Sequence, residues 1–130
     1  MSVDRWIAYD FAVLRAVPHV HLGEFVPVGV VVHARTEEFL GVRVLADVDA
    51  LRARVRDVDV ELLARYLRAC EAIGAGDPAA GPVALAPTSE RFHWLTAPRS
   101  DVIQCSPVHG GLTEHPARAL DELFERYVGR

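Results

Sequence analysis

The sequence predicts an α+β domain: an antiparallel sheet of about four strands, a three-strand meander plus a late strand, with about four helices packed on one face. Three observations carry this. Residues 6 to 46 alternate with a period of two between turn residues. From Val48 onward the apolar spacing changes to that of helices. The loops between the first three strands are short, which favours antiparallel neighbours over crossovers.

Each element has its own signal. Trp6 to Val17 reads as a strand with Ile7, Tyr9, Phe11 and Val13 on one face and Trp6, Ala8, Asp10, Ala12 and Leu14 on the other. Pro18 and Gly23 bracket a connection. Phe25 to Ala34 is a second strand, with Val26, Val28, Val30 and Val32 sharing a face. Pro27 cannot donate to a ladder, so that end lies at an edge or a bulge. After the polar turn Arg35 to Glu38, Phe39 to Ala46 returns as a third strand. Val48, Leu51 and Val55 suggest a short helix capped by Asp47 or Asp49. Asp59 caps a longer one bearing Leu63, Tyr66, Leu67 and Cys70, with Gly74 as its stop.

Residues 74 to 87 are Gly, Ala and Pro with one charge, and read as a flexible loop without function. Ser89 caps a short helix through Phe92 and Leu95, ended by Pro98. Asp101 to Ser106 alternates as a fourth strand and Pro107 to Glu114 reads as a loop. Pro116 opens a last helix with the stripe Leu120, Leu123, Phe124 and Tyr127. The fourth strand is expected against the first, whose other edge is open, and antiparallel pairing is the commoner arrangement.

Composition narrows the function classes. With 130 residues, 51% hydrophobic and 25% charged, the chain fits a single globular domain spanning 1 to 130. Its charge of −4 argues against a nucleic-acid module. All basic side chains are Arg, with no Lys and no Asn, a pattern that suits GC-rich coding and is not itself a functional signal. The apolar runs are shorter than the ~18 residues of a membrane span. The first residues lack the pattern of a signal peptide, so a cytoplasmic location is expected. Cys70 and Cys105 form no CxxC and read as buried hydrophobes.

Three clusters are candidates for chemistry. Arg15 falls on the apolar face of the first strand, where a guanidinium requires a partner, and Glu24 across the hairpin is the natural one. That pair is either structural or presents Arg15 to an anionic ligand or a partner's carboxylate. His19, His21 and Glu24 resemble a two-histidine, one-carboxylate metal set, since residues two apart in extended chain point the same way. Bland loop histidines explain that spacing better. Arg99, Ser100, Gln104, Ser106 and His109 concentrate near Gly110 and Gly111, but no GxSxG elbow or placed acid makes a hydrolase of them.

The stretches "YDFAVLRAVPHVHLGEFVPVGVVVHA", "DVDVELLARYLRA" and "SDVIQCSPVHGGLTEHPARALDELFERYV" resemble the bacterial domain-of-unknown-function 3037 family. The resemblance spans nearly the whole chain apart from the Gly/Ala/Pro loop. Its most recognisable element is the "GEF" and "VGVV" hairpin with the arginine before it, then the "QxSP" strand. It implies no established activity. Family genes often neighbour genes for HipA-like kinases, which implies a kinase partner by association only. Where the family has Asn before that Val-Gly, this chain has Pro27, so any ligand role of that Asn is lost or shifted here.

The reading that results is a non-catalytic binding or accessory module for a protein partner or small anionic ligand, without cofactor. Arg15, Glu24, Arg99 and His109 are its candidate binding residues. Antiparallel pairing of the late strand would bring Arg99 toward Arg15 and carry His109 away. The alternative is a small metal-dependent enzyme using His19, His21 and Glu24.

Overall fold

The computed structural model describes residues 5–17, 24–97 and 103–129. Strand β1 (Ile7–Ala16) is the centre of an antiparallel sheet. Strands β2 (Val26–Ala34) and β3 (Phe39–Val44) follow on one side as the expected meander. On the other side β4 (Ile103–Cys105) and β5 (His109–Thr113) both pair antiparallel with β1. The late strand therefore lies where its need for backbone partners placed it.

β4 and β5 are one edge interrupted by a bulge. Leu14 pairs with Cys105 and Phe11 with His109, so three steps along β1 answer to four along the edge. Pro107 has no N–H to offer there. Ser106 fills the gap: its N–H donates to Val13 O at 2.8 Å and its Oγ accepts the Val13 N–H at 2.9 Å. The loop expected over 109 to 113 is a strand. His-Gly-Gly-Leu-Thr has little β-propensity, and what fixes it is the open edge of β1.

A second bulge sits where Pro27 predicts an irregularity. Leu14 pairs with Gly29 but Arg15 pairs with Pro27, leaving Val28 as the extra residue. The face alternation shifts at this point. Val26 and Val28 turn toward the cluster of Leu14 and Ala16, while Val30 and Val32 join Phe11 and Val13. The expectation that all four valines share one face is thus corrected.

Helices cover both faces, not one. Helices α1 (Val48–Arg54), α2 (Val60–Ala75) and α3 (Thr88–Thr96) pack on the face of Leu14, Val28 and Val31 through Leu51, Leu63, Leu67 and Leu95. Helix α4 (Pro116–Tyr127) covers Phe11, Val13, Val30 and Val32 with Leu123 and Phe124. The cause is legible in β2: every residue from Val28 to Ala34 is buried, the signature of a strand with covered faces.

Side chains of Asp47 and Asp59 cap α1 and α2 as expected, accepting from Ala50 N and Leu62 N. α2 stops at Gly76, in the left-handed region at φ 73°, and not at Gly74. Gly74 matters for packing instead. A Cβ there would lie 2.4 Å from Val42 Cγ2, so its bareness lets α2 approach β3. α3 begins after Pro87, without a side-chain cap from Ser89.

The segment 74 to 87 is structured rather than an unpacked loop. It holds two 3-10 turns, Pro78–Ala80 and Pro82–Leu85, and buries Ala84 in the core. Arg91 of α3 ties it down, donating to Ile73 O, Gly74 O and Ala86 O.

Candidate functional site

Arg15 is the penultimate residue of β1, on the α4 face of the sheet by parity with Phe11 and Val13. Its register partners are Pro27 of β2 and Gln104 of β4. The side chain is half-buried. One Nη donates to Cys105 O at 3.1 Å, and the guanidinium carbon lies 4.0 Å from the centroid of the Phe25 ring. Cation–π contact and a backbone acceptor thus hold the fork in one orientation. Its Nε is buried and has no hydrogen-bond partner among the described residues.

Glu24 is exposed at the entry to β2. Among the described residues no ion pair joins it to Arg15. The expected Arg15–Glu24 pair is replaced by the Phe25 ring and the Cys105 carbonyl. Phe25 itself, 43% exposed, is a member of the corner that sequence patterns do not single out. A signal for it does exist: Phe25 and Pro27 share a face, and Pro27 stands opposite Arg15.

His109 is drawn away from this corner. It pairs with Phe11, four residues along β1 from Arg15, or roughly 13 Å at strand rise. Its ring lies 5.6 Å from that of Phe11, which also meets Tyr127 at 5.9 Å. Antiparallel pairing dictates this separation, so Arg15 and His109 do not form one site. Arg99, His19 and His21 lie outside the described residues. Among the described residues no three His, Cys, Asp or Glu side chains converge as a metal set.

The arrangement supplies a fixed cation with an apolar ring as one wall and free donor capacity on the guanidinium. Arg has five N–H donors, and a single hydrogen bond from them is made within the described protein. Such a corner can accept a planar anion.

A family model described as a protein of unknown function, DUF3037, matches residues 11–128. The chain belongs to that family. The match takes in β1 from Phe11 onward and all later elements, including the Arg15 corner. No curated protein matches the chain, and no solved structure does. No helix among the described residues is long and apolar enough to cross a membrane.

Proposed function

We propose that this chain is a non-catalytic binding module that accepts a carboxylate or similar planar anion at Arg15. The observation that supports this reading is the state of the guanidinium: stacked on Phe25, held by Cys105 O, with no carboxylate on it among the described residues. A half-buried cation of this kind has lost part of its hydration without gaining an ion-pair partner among the described residues, which favours binding an anion from outside. Glu24 and Gln104 flank the corner and set what else such a ligand touches. A protein partner offering an acidic side chain suits the open setting of Phe25, and a HipA-like kinase is the candidate that the family's gene neighbourhood supplies.

Thermal unfolding in the presence of acetate, a dicarboxylate and inorganic phosphate tests it. A ligand that binds only the folded form stabilises by about 2.7 kcal/mol at one hundred times its Kd. Carboxylates are expected to raise the Tm of the native chain, and Arg15→Gln to abolish the rise. Equal responses in the two proteins would remove Arg15 from the site.

A further inference from the structure

From the β5 edge we infer that this chain forms a two-fold dimer, β5 pairing antiparallel with β5 of a second copy across Gly111. Val13 directs its N–H and C=O toward Ser106, and alternation then turns the backbone groups of Phe11, Tyr9 and Ile7 the same way. Their partners His109, Gly111 and Thr113 face inward. The N–H and C=O of Gly110 and Leu112 therefore point outward, and no strand of the described residues meets them.

These outward groups lie symmetrically about Gly111. A second β5 turned through a two-fold axis sets Gly110 against Leu112 of the other copy and Leu112 against its Gly110. Each such pair exchanges both backbone bonds, so the seam gains four. At the axis Gly111 meets Gly111 as a non-hydrogen-bonded pair, with Cα atoms roughly 4.5 Å apart. The side chains fit this register. Leu112, 64% exposed, seats on bare Gly110 and meets Leu112 of the second copy diagonally. Trp6, 58% exposed on the same sheet face, extends that apolar strip. A foreign strand need not share the symmetry; a second copy has it by construction.

The strand itself is uncharged, and the carboxylate beside it is that of exposed Asp10, the register partner of Gly110. β5 carries no Asp, Glu, Lys or Arg, whereas β3 at the opposite edge carries Arg43, held by Asp121 at 3.0 Å. Among the described residues the substantial contacts of β5 are with β1, and α4 lies mainly over β2 and β3. This reading is independent of the Arg15 corner.

Sedimentation velocity of the full chain from roughly 10 μM to 1 mM, the range suited to a small interface, provides the test. A species of twice 14.3 kDa is expected to grow with concentration. Leu112→Arg should abolish it, while Leu85→Arg, also at an exposed leucine, should not. The register has its own readout. His109 faces Thr113 of the second copy, so the double variant His109→Cys with Thr113→Cys should form an intermolecular disulfide on mild oxidation, and neither single variant should. A native chain that stays monomeric, a dimer indifferent to Leu112→Arg or lost equally in Leu85→Arg, or a dimer without the double-variant disulfide would each overturn the proposal.

Discussion

Arg15 and His33 are polar groups set against apolar surroundings, and their partners give them different energetics. Arg15 spreads its guanidinium over Phe25 and binds one carbonyl, with no carboxylate attached among the described residues. Arg15→Ala should therefore cost about 1–2 kcal/mol, the sum of a stacking contact and one hydrogen bond. It should not reach the ~3–5 kcal/mol of a broken buried ion pair, because no anion among the described residues is stranded. Urea midpoints of the native and variant chains measure this. His33 is 5% exposed, stacked on Phe92 at 5.1 Å, with Nε2 3.4 Å from Thr88 Oγ1. Burial lowers its pKa below the ordinary 6.5; Asp10 opposes that shift and Arg35 adds to it. Well above pH 6.5 the ring is neutral in folded and unfolded chains, and the fold keeps its full stability. As pH falls from there through the lowered folded value, the unfolded chain binds the proton first and stability drops. His33→Gln should flatten that loss in denaturation midpoints taken at about pH 7.5 and 5.5, before most carboxylates titrate. An unchanged slope would show that other groups carry the acid sensitivity.

At the level of elements, close approach decides what substitution does. Gly74→Ala is helix-favouring by propensity, yet its Cβ would fall within 2.4 Å of Val42 Cγ2 and 3.0 Å of Val42 Cβ. Overpacking of this kind costs about 1–3 kcal/mol, which outweighs the ~1 kcal/mol gained over glycine in a helix. Gly74→Ala should thus lower the denaturation midpoint, and adding Val42→Ala should restore part of it. Deleting 78–85 should likewise destabilise the fold, since it removes buried Ala84 and disturbs the carbonyl acceptors around Arg91. A deletion with native Tm and native folded signal would return this segment to the status of a spacer. These elements also show what the sequence can reveal. Side-chain patterns locate the capped helices α1 and α2, the meander, and the late strand, because periodicity and caps are local signals. Gly74 reads as a stop because spacing cannot show what faces a glycine. The 78–85 turns and β5 read as loop because their residues are poor in propensity and take their form from long-range partners. The Arg15 corner is legible as a place, through strand parity. Its partner is not, because Glu24 and Phe25 are neighbours in sequence and only the folded hairpin chooses between them.

For the molecule as a whole, the consequence of helices on both faces is that two cores share one sheet. Leu14, Val28 and Val31 look toward α1, α2 and α3, while Phe11, Val13, Val30 and Val32 look toward α4. Neither layer can be lost alone without exposing one side of β1 and β2, and those strands supply the backbone bonds that hold the other side. Phe124 lies in the α4 core, 5% exposed, with the Arg43 guanidinium 4.3 Å from its ring centroid. Truncating a buried phenylalanine costs about 3–5 kcal/mol. Trp94 packs on the opposite core and has no place in the α4 cluster. If the sheet couples the two layers, Phe124→Ala should shift the Trp94 fluorescence transition in urea as far as it shifts backbone circular dichroism. Carrying out the comparison in a Trp6→Phe background isolates the Trp94 signal, since Trp6 is exposed just before β1. Two coincident curves, displaced together, are the expected result for one cooperative unit. A Trp94 transition left in place while circular dichroism shows an earlier step would mean that α4 peels away from a sheet still held by the other three helices.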